Sequence, residues 1–328
     1  MKLLVTGGHG FIGSNFILKL LKENQEYKIK NIDAELNGSN PKNLLEIKNH
    51  KNYEFVKGNI TDHNLMEKLI SECDVVINFA AESFVDRSIN DANPFLISNI
   101  LGTHTILDII TKEKKKMIQI STDEVFGSLE NKSATEESKF NPTNPYAATK
   151  ASAELLVNSY FTTYNSNVII TRCTNNYGPR QFPEKLIPKT ILLADQNKKI
   201  PIYGNGKNIR DWIFVEDHCN AISNILTNGK SGESYNISAG NEIDNITIVK
   251  KILALMNKSE NLIEFVEDRP GHDFRYSMDS QKMKKELNWQ TKVNFEEGIK
   301  KTVEWYLSNK EWWKNIEKNS LNHTPWKI

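Results

Sequence analysis

The sequence predicts a doubly wound parallel α/β sheet capped by a smaller α/β lobe, and three observations carry that expectation. Short apolar runs alternate with helical stretches from the first residues onward. A glycine-rich turn joins the first apolar run to the first helical stretch. The rhythm then changes after about residue 174.

Lys2–Val5, Lys28–Ile32, Tyr53–Val56, Val75–Phe79, Met117–Ile120 and Val168–Thr171 read as short buried strands. Ser14–Leu21, Asn64–Ile70, Phe95–Ile110 and Ala147–Tyr164 read as the helices between them. Such alternation favours a sheet covered on both faces, whose ligands bind outside the carboxyl ends of the strands. Beyond residue 174, Pro201–Tyr203, Trp212–Val215, Ser234–Ile237 and Ile263–Val266 read as strands. They are mixed with helices at Ile187–Asp195, Ile246–Met256 and Phe295–Ser308. The expected division is therefore 1–174 for the larger domain and 175–328 for the lobe, with a soft boundary and some chain crossing between them. The stretch after Lys310, rich in Trp, Lys and Asn, reads as peripheral.

With 328 residues, 38% of them hydrophobic and 25% charged, the chain is long enough to fold around its own core without staples. Its 42 Lys+Arg against 41 Asp+Glu leave a net charge of +1, which predicts no strong attraction to nucleic acid or to anionic membranes. An anionic ligand must then be held by local groups. Cys73, Cys173 and Cys219 are odd in number and widely spaced, which suggests neither a disulfide framework nor a zinc site. An apolar strand already begins at residue 3, and the longest apolar runs fall short of the ~20 residues that span a bilayer. A cytoplasmic protein is expected.

The first strand runs into Thr6-Gly7-Gly8-His9-Gly10-Phe11-Ile12-Gly13. Gly8, Gly10 and Gly13 fit G-x-G-x-x-G, and Gly7, Gly10 and Gly13 fit G-x-x-G-x-x-G. Glycines permit the tight turn and let the backbone approach a pyrophosphate at the helix N-terminus. The second strand leads to Asp33, 20 residues past Gly13, where a carboxylate can accept hydrogen bonds from an adenosine ribose. It would repel a 2′-phosphate, and no Arg follows it, so NAD is favoured over NADP. Asn59 and Ile60, after the third strand, and Phe79, Ala80 and Ala81, after the fourth, are expected along the same cofactor.

Tyr146-Ala147-Ala148-Thr149-Lys150 sets a phenol and an ammonium on one helix face. A tyrosine with pKa ~10 is a poor base at neutral pH. A neighbouring Lys⁺ and a cationic nicotinamide ring are both expected to favour the phenolate. With this pair behind a dinucleotide fingerprint, the chain resembles the extended short-chain dehydrogenase/reductases that act on nucleotide sugars. The resemblance covers nearly the whole chain and implies a Rossmann-type domain for the cofactor and a C-terminal lobe for the sugar nucleotide.

At the end of the fifth strand stands Ser121-Thr122-Asp123-Glu124. An adjacent acid pair beside a Tyr/Lys pair has a chemical purpose, since removing water from a sugar needs both a base and an acid. The Thr-Asp-Glu triplet is similar to that of the dTDP-glucose 4,6-dehydratase family. So are Ala80-Ala81-Glu82-Ser83, Val85-Asp86-Arg87-Ser88, Asn175-Asn176-Tyr177-Gly178-Pro179, Arg210-Asp211-Trp212 and Asp268-Arg269-Pro270-Gly271-His272-Asp273. Two departures stand out: Phe84 where the family usually has His, and Ala34-Glu35-Leu36 where it usually has Lys-Leu-Thr.

The resemblance implies Thr122, Asp123, Glu124, Tyr146 and Lys150 as the catalytic set. Glu124 would be the C5 base and Asp123 the acid at C6. It adds Ser98 and Asn176 near the cofactor, and implies Ser83, Asn175, Lys185, Leu186, Tyr203, Arg210, Asn236, Arg269, His272 and Tyr276 as substrate contacts. Lys185, Arg210 and Arg269 also suit a diphosphate on chemical grounds. The expected activity is conversion of a dTDP- or UDP-glucose to the 4-keto-6-deoxy sugar. A 4-epimerase or decarboxylase on the same scaffold, or a silent NAD-binding regulator, are the alternatives. The apolar helix pair Phe95–Ile110 and Ala147–Tyr164, with Leu96, Ile100, Leu155 and Phe161, is expected to form a homodimer contact.

Overall fold

The computed structural model describes residues 1–23, 26–314, 321 and 326. Its main sheet contains β1 (Lys2–Thr6), β2 (Lys28–Asp33), β3 (Tyr53–Lys57), β4 (Val75–Asn78), β5 (Lys116–Thr122) and β6 (Val168–Cys173). All neighbouring strands run parallel. In β1, Leu3 and Val5 pack into the cluster on one face, with Phe16 and Ile17 of the helix Phe11–Glu23. Leu4 packs into the other, with Ile106 and Ile110. Both side-chain sets of one strand are buried because helices cover both faces. The sheet order places β4 on the opposite side of β1 from β2, so the chain reverses direction between β1 and β4. That reversal opens the crevice in which doubly wound sheets bind ligands.

Beyond residue 174, β7 (Asn175–Tyr177), β9 (Ile209–Phe214) and β11 (Glu242–Asp244) form a small mixed sheet, and β8 (Ile200–Tyr203) pairs with β12 (Ile263–Val266). One strand crosses back: β10 (Ser234–Ile237) pairs with β6 and becomes the seventh strand of the main sheet. Hydrophobic pattern alone does not tell which sheet a four-residue apolar run will join.

Two helices carry the site. Pro145–Tyr164 begins two residues before its expected start, because Asn144 caps it through the Ala147 amide and Pro145 fits the first turn. The stretch Asn93–Glu113 is continuous but not regular, since Leu96–Leu101 is π-helical. That extra residue per turn re-aims Asn99, which exchanges hydrogen bonds with the Glu82 backbone and donates to the Thr149 hydroxyl. By length and mean hydropathy alone this is also the one described helix that could cross a membrane, although polar residues interrupt its apolar runs. Half of its most apolar window is buried against the protein.

Under the active site, Arg172 on β6 donates to Glu154 (Nε–Oε2 2.9 Å), and both side chains are essentially fully buried. A buried charge that loses its partner costs far more than a matched pair contributes. Glu154→Ala should therefore destabilise the protein by ~3–5 kcal/mol, while replacing Glu154 and Arg172 jointly by apolar residues should cost less. Denaturant unfolding of the single and double variants measures the difference.

Candidate active site

The cofactor side of the site begins where β1 ends. Gly7 has φ +67°, and a Cβ there would lie 2.8 Å from the Ala80 backbone. At Gly13 a Cβ would lie 2.7 Å from the Gly7 carbonyl. These positions require glycine because one turn is pressed against another. Asp33 is held at the tip of β2: its Oδ2 accepts from the His9 amide (2.9 Å), and its Oδ1 accepts from the Glu35 amide (2.7 Å) and the Ser39 hydroxyl (3.0 Å). Every residue expected to contact the cofactor, from Gly7 to Asn176, lines this one cavity. The Ala34-Glu35-Leu36 departure resolves locally. Ala34 and Leu36 face the cavity, while Glu35 lies beside His9 (3.4 Å) and pairs with Lys57 (2.7 Å). A glycine turn at a helix N-terminus, followed by a ribose-height carboxylate with no basic residue lining the cavity near it, fits NAD.

At the other end of the cavity β5 delivers Thr122, which caps a 3₁₀ turn, Asp123–Phe126, by accepting from the Glu124 amide (3.3 Å). This turn sends two adjacent carboxyls into different surroundings. Asp123 is buried, and its Oδ2 has no hydrogen-bond partner. Burial first, and then the neighbouring Glu124, hold its carboxyl well above the usual carboxylate range. Glu124 is half-buried, lines both this cavity and the next, and accepts from the Tyr276 hydroxyl (3.4 Å).

Tyr146 and Lys150 both line the first cavity. The Lys150 ammonium donates to the Ile120 carbonyl (2.6 Å), and burial lowers its pKa to about 8. The Tyr146 phenol is pushed well up, by burial and then by Glu124, with a hydrogen bond from Thr122 opposing.

The second cavity opens from the first through Phe84, Glu124, Asn175, Asn176, Gln181 and Lys185, which line both. Leu186, Tyr203, Arg210, Arg269, His272 and Tyr276 line it as expected. Arg210 lies over the Tyr276 ring (4.2 Å) and donates to the Asp273, Phe274 and Ile209 carbonyls. Arg269 pairs with Asp86 (2.7 Å), and Lys185 donates to the Ser83 carbonyl (2.9 Å). Burial, then Arg269 and Arg210, lower the His272 pKa to about 4, leaving it neutral.

Ser83 itself faces the first cavity rather than the second. Asn236 faces neither. It is fully buried on β10, where it donates to the Ala134 carbonyl (3.2 Å), so joining the main sheet removes it from the substrate side. Asp86, Gln181 and Lys189 line the second cavity and were not among the expected residues. Asp86 lay inside a segment singled out for resemblance, which was the available signal.

The GDP-mannose 4,6 dehydratase family matches residues 4–302. The low-salt glycan biosynthesis protein Agl12 of Haloferax volcanii is 47% identical over 95% of this chain and 100% of its own. The structure of dTDP-glucose 4,6-dehydratase from Bacillus anthracis in complex with NAD is 46% identical, covers 97% of this chain and 100% of its own, and superposes with a TM-score of 0.91. That of DesIV, the dTDP-glucose 4,6-dehydratase of Streptomyces venezuelae with NAD and TYD bound, is 39% identical with the same coverage and a TM-score of 0.95. With the glycine turn, the Thr-Asp-Glu triplet and the Tyr/Lys pair all on one cavity, the chain belongs to the nucleotide-sugar 4,6-dehydratase family of the short-chain dehydrogenase/reductases.

Proposed function

We propose that this protein is an NAD-dependent dTDP-glucose 4,6-dehydratase that yields the 4-keto-6-deoxy sugar. The observation that carries the reading is the adjacent acid pair, with Asp123 buried and its carboxyl held well above the usual range, and Glu124 half-buried at the junction of the two cavities. Two carboxyls in unlike surroundings divide naturally into acid and base.

NAD, when bound, would supply the acceptor for the C4 hydride and the donor that returns it at C6. The Gly7–Gly13 turn and Asp33 would hold its pyrophosphate and ribose, and Tyr146 and Lys150 would flank its reactive end. Tyr146 accepts the C4-hydroxyl proton, with the Thr122 hydroxyl hydrogen-bonded to the phenol. The C4 ketone so formed acidifies the C5 proton, which Glu124 removes. Asp123 donates its proton to the C6 hydroxyl, which leaves as water; as the hydride arrives at C6, Glu124 returns its proton to C5, and the proton taken by Tyr146 makes good the one Asp123 lost. Lys185, Arg210 and Arg269 offer the diphosphate its counter-charges.

A 4-epimerase or decarboxylase has no use for a second, buried carboxyl beside the base. A silent NAD-binding regulator has no use for the whole set. Thymine and uracil differ by one methyl, worth ~1–3 kcal/mol in an apolar pocket, so assay of dTDP-glucose against UDP-glucose decides the base. Absorbance of the product in alkali reports the 4-keto-6-deoxy sugar. Its absence with both sugars would sink the reading. The three cysteines are free and buried, which suits a reducing, cytoplasmic compartment.

Glu124→Gln should retain C4 oxidation but slow elimination ~10²–10⁴-fold. Reduced nicotinamide should then accumulate as near-ultraviolet absorbance, and hydrogen exchange at C5 with solvent should cease. Tyr146→Phe should give no reduced nicotinamide. Identical failure of both variants before hydride transfer would refute the assignment of Glu124.

The protein should also be a homodimer. Leu96, Ile97, Leu101 and Leu155 are each between 47% and 59% exposed on the adjoining helices Asn93–Glu113 and Pro145–Tyr164. A self-complementary apolar face of this kind suits a second copy. Phe161, expected on that face, packs instead into its own subunit's core. Light scattering at micromolar concentration should give twice the monomer mass, and Leu155→Glu with Leu101→Glu should shift it towards monomer.

A further inference from the structure

Of the stretch after Lys310, Trp326 lies beside the site. Trp326 is 8% exposed, and its ring stands edge-on to Tyr203, with centroids 4.6 Å apart and planes at 85°. Leu321, in the same stretch, packs against the two apolar clusters of the second lobe. Tyr203 ends β8 and lines the second cavity. On another side its ring meets His272, also edge-on, at 6.3 Å.

Tyr203 is connected to the cavity's cations through one carboxylate. Its hydroxyl donates to Asp86 Oδ2 (3.0 Å), while Arg269 Nη1 donates to Asp86 Oδ1 (2.7 Å). Burial and then Asp86 push the phenol up, so it remains a donor throughout the physiological range. The position of the Tyr203 ring thus sets where Asp86 sits, and Asp86 sets where the Arg269 guanidinium points. Trp326 itself does not line the cavity. It backs the ring that does. An aromatic side chain has few torsions, and an edge contact from a buried indole removes much of the freedom left to them.

We propose that Trp326 is a positioning residue of the nucleotide-sugar site, holding Tyr203 and, through Asp86, Arg269 in the geometry that receives a nucleoside diphosphate. The inference rests on the nucleotide-sugar reading of the second cavity. Its effect falls on binding, because the chain of contacts ends at Arg269 and does not include Asp123, Tyr146 or Lys150.

Thymidine diphosphate is the probe, with affinity measured by calorimetry on the full-length protein and steady-state kinetics on dTDP-glucose. Trp326→Ala should weaken dTDP binding about 2- to 12-fold, the range of one aromatic pair, and raise KM by a similar factor at unchanged kcat. Trp326→Phe should restore most of the affinity. In Tyr203→Phe, which lacks the hydroxyl link to Asp86, the further loss on Trp326→Ala should be smaller than in the wild type. Unchanged dTDP affinity in Trp326→Ala, or a fall in thermal midpoint and kcat without one, overturns the inference and leaves the functional reading standing. Failure of the wild-type protein to bind dTDP at all overturns the reading of the cavity, and the inference with it.

Discussion

The site depends on how closely the backbone after β1 approaches the backbone after β4. A single added carbon at Gly7 would lie 2.8 Å from the Ala80 chain, so the two strand ends are within contact distance of one another. That approach exists because β4 lies beside β1 after the sheet has reversed direction. The reversal leaves a crevice whose floor is backbone rather than side chain, where a dinucleotide can lie against amides. Gly7 is glycine because the chain after β4 lies against it, and Gly13 because the start of the helix lies against the Gly7 carbonyl.

The chemistry of the adjoining carboxyls follows from the same economy of space. Thr122 ends β5 and caps the 3₁₀ turn, so consecutive residues leave the strand in different directions. Asp123 goes into the protein, and burial favours its protonated form. Glu124 goes to the junction of the cavities. A helix would have set their side chains about 100° apart on one cylinder; the turn separates them by environment as well. Lys150 shows the converse case, since its burial is tolerated by a carbonyl that needs a donor and by Glu154 one turn along the helix.

Much of this was legible in the sequence where local pattern and chemistry coincide. The glycine turn, Asp33, the Thr-Asp-Glu triplet and the Tyr/Lys pair lie at strand ends, and strand order carries them to one cavity. The failures are long-range. Asn236 was expected on the substrate side, but pairing of β10 with β6 decided otherwise. The strand Asn175–Tyr177 and the helix Val215–Asn228 were not anticipated, the first because three residues show no period. The π-helical turn at Leu96–Leu101 leaves no mark in apolar spacing, yet it places Asn99 on Glu82 and Thr149. The stretch after Lys310 read as peripheral because nothing in composition says what a tryptophan will touch.

One of the two departures from the family pattern, Phe84, stands beside the segment that follows the other. Gly38, in the segment that follows Ala34-Glu35-Leu36, has φ +83°, and a Cβ there would lie 2.9 Å from the Phe84 ring. Phe84 in turn meets Phe182 edge-on (5.7 Å) and lies under both Arg87 (5.1 Å) and Lys185 (5.2 Å). Ser39 ties the same segment to Asp33. A wall therefore runs from the Asp33 carboxylate through Gly38 to Phe84, where the two cavities join. A smaller or polar ring at position 84 would leave Gly38 without its apolar neighbour and two cations without the ring face beneath them.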